Sequence, residues 1–350
     1  MSLRQISIGL LAHNEAIRLK ATAETLFQQD IFQKFNIELV IVANGCTDST
    51  VAVAQQLLSD YSGVWSQTGS ARVEELTVAG KANAWNTFVH KLSSDQARIL
   101  FLMDADIKIL QRDTMSSMVT TLDRSSEAVV CVDRPIKDIE LLSRRTLLQR
   151  LLIAAMPNLS ASDVPLCGQL YCAYSVNLRP IWLPKAITGE DGFLRALLLT
   201  DGFTHPENPS RIVLDTKAAH IFESVQTAYE LFKHEKWIVS SSIVNMILFE
   251  RFWKEASSGL SAMTLMEMWT RLDSEWLPKY IAEQVHQRGW RLLPASWWGR
   301  RWLRLKGLSF AGKLRLLPVS ALASLADAAV FVAAIRDVRK GRAFRYWGRT

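Results

Sequence analysis

Two aspartates separated by one small residue, Asp104-Ala105-Asp106, follow an apolar run at residues 98–103. Carboxylate oxygens are hard ligands that suit Mg²⁺ or Mn²⁺. Residues i and i+2 of an extended segment share a face, so both carboxylates can approach one ion. Such an ion would neutralise a diphosphate and stabilise it as a leaving group. The alternative interpretation of so short a motif is an acidic turn without a ligand.

A second acidic cluster, Glu190-Asp191, follows Gly189 and precedes an apolar helical pattern at residues 193–199. A carboxylate placed there can take the proton of an attacking hydroxyl group. Acidic side chains also favour helix N-termini, so the pair could simply cap the following helix. The two interpretations are compatible with each other.

The elements that position these side chains alternate between strand and helix patterns over the first 135 residues. Short apolar runs lie at residues 6–12, 37–43, 98–103 and 128–132. In the segments between them, the apolar residues recur at the spacing of an α-helix. This order predicts an α/β fold with a mainly parallel sheet flanked by helices. Ligands of such sheets bind beyond the carboxyl ends of the strands. His13-Asn14-Glu15, Asn44-Gly45 and Asp104-Ala105-Asp106 are all expected at that edge.

The composition is that of a packed protein. The chain has 350 residues, of which 49% are hydrophobic and 21% charged, enough for one large domain with an appendage and too apolar for general disorder. The four cysteines form no C-x-x-C pair, which favours reduced thiols. The N-terminus lacks the apolar region of a signal peptide, so we expect the catalytic part in the cytosol.

Four stretches in this order resemble the successive motifs of family 2 glycosyltransferases, which have the Rossmann-like GT-A fold. The resemblance covers about residues 5–240 and rests on the joint order and spacing of the four stretches. They are Leu10-Leu11-Ala12-His13-Asn14-Glu15, Val42-Ala43-Asn44-Gly45-Cys46-Thr47-Asp48-Ser49-Thr50, Gly80-Lys81-Ala82-Asn83-Ala84 and Asp104-Ala105-Asp106.

The resemblance implies roles for individual residues on the donor side. Ala12, Asn14 and Glu15 would line the nucleotide pocket, and Asp104 and Ala105 would contact the donor. Asn44 stands where the family usually has an aspartate that contacts the base, which leaves the base open. Lys81 would lie near the nucleotide or the diphosphate, although a solvated lysine at a helix start is the alternative.

On the acceptor side, the resemblance makes Asp191 the catalytic base and places Glu190 near the acceptor or the diphosphate. His220 could join Asp104 and Asp106 as a metal ligand, although a lone histidine is more often a core or surface residue. The segment 233–237 loosely resembles the Q-x-x-R-W motif of processive members, but lysine replaces both Gln and Arg. Lys236 could still contact the diphosphate or the acceptor.

The C-terminal segment differs in charge from the rest of the chain. Residues 286–350 hold 14 Lys and Arg against two Asp and Glu, whereas the remaining residues hold 27 against 32. Tryptophans and arginines are interleaved there, a combination suited to a membrane interface with anionic lipid. An apolar stretch at residues 318–335 follows, interrupted by Asp327. The tryptophans are Trp290, Trp297, Trp298, Trp302 and Trp347.

We therefore expect an interfacial or re-entrant anchor at the cytoplasmic face of the membrane. A spanning helix would need about 20 apolar residues without a central charge. A helical appendage packed on the domain is the other alternative. Nucleic-acid binding is not expected, because it explains neither the apolar stretch nor the acidic remainder of the chain.

The sequence thus predicts a GT-A catalytic domain at residues 1–240, with a nucleotide-binding half at 1–135 and an acceptor half at 136–240, followed by a helical, membrane-associating region at 241–350. The expected activity is inverting, Mg²⁺- or Mn²⁺-dependent transfer from a nucleoside-diphosphate sugar, with UDP-sugar favoured, to a lipid-linked or glycan acceptor of the cell envelope. A sugar-phosphate nucleotidyltransferase would need a Gly-rich loop after the first strand. A non-catalytic membrane scaffold on the same fold remains a third hypothesis.

Overall fold

The computed structural model describes residues 4–65, 69–141, 166–225, 227–257, 259–303, 305–307 and 309–345, with only the backbone of Ala311 and Arg345. Residues 142–165, in the expected acceptor half, and Trp347 lie outside the described ranges.

The described strands form one eight-stranded sheet in the order β3-β2-β1-β4-β7-β6-β8-β5. Strand β1 pairs in parallel with β2 and β4, and β2–β3 and β6–β8 are also parallel, whereas β4–β7, β6–β7 and β5–β8 are antiparallel. The strands are β1 (Gln5–Ala12), β2 (Asn36–Asn44), β3 (Ser70–Leu76), β4 (Ile99–Asp104), β5 (Ile107–Ile109), β6 (Val130–Lys137), β7 (Leu170–Tyr174) and β8 (Ile212–Phe222).

Helices cover both faces of this sheet. The α-helices of the N-terminal half are α1 (Leu19–Phe27), α2 (Ile31–Lys34), α3 (Thr50–Asp60), α4 (Lys81–Thr87), α5 (Thr114–Arg124), α6 (Ser175–Leu178) and α7 (Glu190–Thr200). Those of the C-terminal part are α8 (Ala228–Ala256), α9 (Ala262–Leu272), α10 (Trp276–Arg288), α11 (Ala295–Trp298), α12 (Arg300–Leu303) and α13 (Phe310–Arg339).

The central strands are buried on both faces, which explains their continuous apolar sequences. In β1, every residue after Gln5 is buried, and β4 is buried up to Asp104. The predicted fold class is confirmed. Strands β3, β5, β7 and β8 lie outside the four apolar runs. Strand β3 is a polar strand at one end of the sheet order, β5 has three residues, and β8 is interrupted by polar residues.

The long helix α8 begins with a capping box between Thr227 and Glu230 and packs against α13. The second half of α13 is docked: Phe331, Ala334 and Ile335 are at most 1% exposed and belong to the same apolar cluster as the sheet. The C-terminal helices therefore share a core with the sheet.

The first half of α13 projects from this core. Phe310, Leu314, Leu322 and Leu325 are each 63% exposed or more. Within the described residues, Gly312–Arg339 is one helix that is long and apolar enough to cross a membrane by length and composition alone. The projecting half of α13, residues 310–326, is about 25 Å long. This is shorter than the hydrocarbon core of a bilayer, which is about 30 Å thick.

Asp327 lies where the docked half of α13 begins, and two arginines neutralise it. Arg300 and Arg301 each donate two hydrogen bonds of 2.8–2.9 Å to its carboxylate. Burial alone would raise the pKa of Asp327, but the two guanidinium groups outweigh it and lower the pKa to about 2. The charge that counted against a spanning helix therefore forms ion pairs within the fold. These pairs of Asp327 with Arg300 and Arg301 are called the clamp below.

Candidate active site

The carboxyl ends of the central strands meet at one edge, as the sequence predicted. Ala12 of β1 is in register with Ala43 of β2, and Leu11 is in register with Asp104 of β4. The N–H of Ala105 donates to the Leu11 carbonyl at 3.1 Å, so the chain leaves β4 while still held to β1. This hydrogen bonding places the Asp104 carboxylate beside the loop that follows β1.

The loops after β1 and β2 are tied together by polar contacts. Asn14 adopts a left-handed backbone with φ of 54°, and its Oδ1 accepts from the Thr47 N–H at 2.7 Å. The His13 ring is hydrogen-bonded to the Asn44 carbonyl at 2.7 Å. Hydrogen bonds therefore hold together the two loops that the resemblance assigns to the nucleotide.

Asn44 is fully buried at the end of β2, and neither its Oδ1 nor its Nδ2 has a hydrogen-bond partner among the described residues. Buried polar atoms are normally paired. The Asn44 amide thus retains one donor group and one acceptor at the position assigned to the base.

Glu15 lies at the entrance to this edge. Its N–H donates to Thr50 Oγ1 at 2.8 Å, and its carboxylate pairs with Arg18 at 3.1 Å. Burial and the nearby charge of Asp106 raise the pKa of Glu15, against the effect of Arg18. Burial and neighbouring carboxylates therefore disfavour the charged form of Glu15 more than Arg18 favours it.

Lys81 joins the two acidic clusters. It begins α4 directly after Gly80, and its Nζ lies 2.8 Å from Asp104 Oδ2 and 3.4 Å from Glu190 Oε1. Burial disfavours the charged ammonium, but the attraction of Asp104 and Glu190 outweighs it and raises the pKa of Lys81 well above its usual value. Lys81 is a charged bridge within the site, not a solvated lysine.

One lysine does not balance the charge around Asp104. Burial raises the pKa of the Asp104 carboxyl to about 7, opposed by Lys81 and reinforced by the charge of Asp106. A further cation would relieve this repulsion. Two adjacent carboxylates suit a divalent ion whose other ligands are phosphate oxygens and water, so the donor set fits Mg²⁺ or Mn²⁺. No group of three or more acidic, histidine or cysteine side chains that could hold a metal occurs within the described ranges.

Glu190 and Asp191 form the first turn of α7, and Gly189 before them has a φ of +70°. The N–H of Gly192 donates to Asp191 Oδ1 at 2.8 Å. Burial and the charge of Glu190 raise the pKa of Asp191 to about 6, while Lys81 lowers it. A carboxyl group with this pKa is deprotonated at neutral pH and is a better base than an exposed aspartate.

Gly168 and Gln169 are site residues that the sequence did not reveal. A Cβ on Gly168 would lie 3.3 Å from Asp191 Cβ and 3.4 Å from Lys81 Nζ, so the backbone closely approaches both side chains. The Gln169 carbonyl accepts from the Asp104 N–H at 2.9 Å. Both positions precede β7, an antiparallel neighbour of β4 that local sequence patterns do not place there.

His220 lies inside the protein, beside the site residue Gln169. It is 0% exposed, its Nδ1 is 2.7 Å from Asp133 Oδ2, and its Nε2 is 3.1 Å from Gln169 Oε1. Both ring nitrogens are engaged within the fold, so this arrangement does not favour His220 as a metal ligand.

Lys236 also has a different partner from the one expected. Its Nζ lies 2.6 Å from Asp337 Oδ2 of α13, which also pairs with Arg342 at 2.9 Å. The lysine thus ties α8 to α13. This ion pair accounts for Lys236 without the diphosphate or the acceptor.

Residues 7–177 match the model of the family described as Glycosyl transferase family 2. Crystal structures of similar fold include S. aureus TarS 1-349, with 15% identity, 96% of this chain and 92% of that chain covered, and a TM-score of 0.46. Another is glucosyl-3-phosphoglycerate synthase from Mycobacterium tuberculosis in complex with Mn²⁺, UDP-glucose and phosphoglyceric acid, with 19% identity, 69% and 79% covered, and a TM-score of 0.45. A search of curated proteins gives no match.

Proposed function

The chain belongs to the family 2 glycosyltransferases, and we propose that it inverts the anomeric centre while transferring a sugar from a nucleoside diphosphate to a membrane-proximal acceptor. One observation carries this proposal: Lys81 bridges Asp104 and Glu190, so the donor-side and acceptor-side carboxylates share one site. A leaving diphosphate and an attacking hydroxyl group need these two functions on either side of the anomeric carbon.

On the donor side, we propose that Asp104 and Asp106 hold Mg²⁺ or Mn²⁺. The ion would supply charge neutralisation for the diphosphate. Lys81 would add a fixed positive charge beside the leaving group, since its ammonium is held charged by Asp104 and Glu190. Ala12, Asn14, Glu15, Asn44 and Ala105 would line the nucleotide side.

The base is proposed to be uracil. An amide offers one donor and one acceptor, which complement the adjacent N–H and carbonyl of the uracil edge. Asn44 has both functions without a partner in the described structure. An aspartate at this position would only accept hydrogen bonds when ionised.

The acceptor hydroxyl is proposed to lose its proton to Asp191 as its oxygen attacks the anomeric carbon. The new C–O bond forms on the face opposite the departing diphosphate oxygen, which takes the electron pair of the broken bond. Gly168 gives the reacting groups room, because any side chain there would contact both Lys81 and Asp191.

The acceptor is proposed to be lipid-linked or a glycan at an anionic membrane surface. The free half of α13 exposes apolar side chains next to the exposed cations Lys313 and Arg315. Trp298 and Trp302, 43% and 42% exposed, lie in the segment that precedes it. Apolar side chains, tryptophans and cations in this arrangement suit insertion to headgroup depth.

Calorimetry tests the donor side. The full chain is titrated with UDP in the presence of Mn²⁺, and Asp104→Asn and Asp106→Asn should each weaken the metal-dependent binding roughly tenfold or more. Asp60→Asn, an exposed change on α3, is the control and should bind like the wild type. Unchanged binding in both site variants would remove the metal assignment.

A donor panel incubated with a membrane lipid extract tests the reaction itself. Transfer should be seen with a UDP-sugar and should give a product of opposite anomeric configuration, which proton coupling constants report. A product that retains the donor configuration would overturn the inverting mechanism. If transfer occurs only with donors that carry a different nucleotide, the assignment of the base is wrong.

A further inference from the structure

One buried amide contacts both sides of the acidic turn. Asn245 lies in the middle of α8 and is 8% exposed. Its Nδ2 donates to the carbonyl of Gly189, immediately before Glu190, at 3.0 Å. A Cβ on Gly192, immediately after Asp191, would lie 3.2 Å from the same nitrogen. The Asn245 side chain therefore packs against both residues that flank the acidic pair.

Both contacts bear on the orientation of Asp191. Gly192 supplies the N–H that binds Asp191 Oδ1, so a shift of Gly192 would move the carboxylate. Gly189 has a left-handed backbone, and a Cβ there would lie 2.7 Å from the Cβ of Ser241. The turn thus packs directly against α8, and there is no space for a side chain at position 189.

The polar residues under the turn are not explained by stability. Asn245 Oδ1 and Ser241 Oγ are buried without a hydrogen-bond partner among the described residues. A buried polar atom without a partner is destabilising, because it has lost its hydrogen bonds to water. Small apolar side chains would avoid this cost, but they could not donate to the Gly189 carbonyl. Within the described part of the chain, the hydrogen bond that the Asn245 amide makes is with Gly189, at the start of the acidic turn.

We propose that Asn245 is a positioning residue that holds Gly189 and Gly192 so that Asp191 faces the acceptor hydroxyl. This inference rests on the proposed function, because it requires Asp191 to act as the base. It also assigns the C-terminal helix α8 a role in transfer that lies outside the matched residues 7–177. The donor side is held by other elements, namely α4 for Lys81 and β4 for Asp104.

Asn245→Ala in the full chain tests the proposal. UDP release is measured with the UDP-sugar that the donor panel selects and the membrane lipid extract as acceptor. We expect kcat per folded molecule to fall about 10- to 100-fold, the usual effect of losing a supporting hydrogen bond in a site. The donor KM and the Kd for UDP with Mn²⁺ should stay within about twofold, because Asp104 lies on β4 and Lys81 keeps its shorter contact, 2.8 Å, with Asp104.

Asn86→Ala is the matched control. Asn86 is also buried; its Nδ2 donates to the Leu183 carbonyl at 2.7 Å and its Oδ1 accepts from the Leu183 N–H at 2.9 Å, so its amide pairs with the backbone of residue 183 and not with the acidic turn. Its loss should lower the melting temperature without the selective loss of kcat. Asn245→Leu is the second variant if Asn245→Ala does not fold: it fills a similar volume and has no group that can donate to Gly189.

Two results would overturn the positioning role: an unchanged kcat per folded molecule, or a loss of UDP affinity in parallel with kcat, which would indicate general loosening. Asp191→Asn in the same assay separates this failure from that of the proposed function. If Asp191→Asn keeps wild-type turnover, the base assignment is wrong. If it is inactive while Asn245→Ala keeps its kcat, only the positioning role is wrong.

Discussion

The ammonium of Lys81 lies 2.8 Å from the carboxylate of Asp104, and this contact joins the start of α4 to the end of β4. Because Glu190 is also within 3.4 Å of the same nitrogen, a single cation faces the carboxylates of both halves of the site. Lys81 is therefore the residue through which the donor side and the acceptor side interact electrostatically.

Replacing Lys81 with methionine should impair transfer strongly. The change removes the positive charge that opposes protonation of Asp104 and that would face the diphosphate. We expect kcat/KM to fall about 100-fold, the usual effect of losing one fixed charge partner of a leaving group. Steady-state kinetics with the selected donor measures it. Lys20→Met, an exposed change on α1, is the control, and equal activity of both variants would contradict the bridging role.

Activity should rise with pH through about 6. Asp191 must be deprotonated to accept a proton, and burial with Glu190 raises its pKa to about 6. The groups facing it are Glu190, Lys81 and the Cys167 thiol, whose pKa burial raises to about 12, so neither cation nor thiol changes charge near pH 6. Burial raises the pKa of the nearby Asp104 to about 7, so the profile is recorded with saturating donor and Mn²⁺, which would hold Asp104 ionised. The pH profile of kcat reports this acid limb. A profile that is flat from pH 5 to 8 would contradict the assignment of the base.

The sequence could place the polar residues that follow β1, β2 and β4 at one edge of the sheet because their signals are local. His13-Asn14-Glu15, Asn44 and Asp104 each follow an apolar run, and parallel neighbours bring the ends of such runs to one edge. The polar strand β3 and the short strand β5 lack that signal. Four of the seven strand pairings in the described sheet are parallel. Strand β7 lies antiparallel between β4 and β6, and this position could not be predicted because it depends on contacts between residues far apart in the sequence.

Contacts between residues that are far apart in the sequence could not be predicted. Asn245 is 56 residues from Gly189, and Arg300 and Arg301 are 27 and 26 residues from Asp327. Their partners are set by helix packing, which no local spacing encodes. For the same reason the roles expected of His220 and Lys236 gain no support from the structure: Asp133 and Asp337, their observed partners, are distant in the chain.

Asp327→Asn should release the docked half of α13. The aspartate accepts from two arginines at a partly buried position, and losing these charge-assisted hydrogen bonds should cost about 2 kcal/mol in the free energy of unfolding. Because the folded-state pKa is lowered from 3.8 to about 2, this stabilisation is present above about pH 4 and is lost as pH falls toward 2.

Chemical denaturation at pH 7 measures this difference. Asp95→Asn, which removes an exposed pair with Arg179, is the control and should change stability very little. Equal stability of Asp327→Asn and the wild type would show that the clamp does not hold the helix.

The projecting half of α13 should bind anionic vesicles. Exposed apolar side chains contribute about 1.5 kcal/mol or more each on insertion, so the triple variant Phe310→Ser, Leu314→Ser, Leu322→Ser should bind at least about 100-fold more weakly. Flotation with phosphatidylglycerol vesicles measures this.

The matched control replaces three exposed apolar residues elsewhere, Val78, Val176 and Leu272, with serine and should bind normally. Self-association of the wild type through this helix, without vesicle binding, would contradict the membrane proposal.

The most direct test of the two-carboxylate site is Asp191→Asn, measured for turnover and for UDP binding in the same preparation. The amide keeps the shape of the side chain but cannot accept the acceptor proton, so kcat should fall about 1,000-fold or more, while the Kd for UDP with Mn²⁺ stays within about twofold because Asp104 and Lys81 are intact. Turnover retained at the wild-type level would contradict the account.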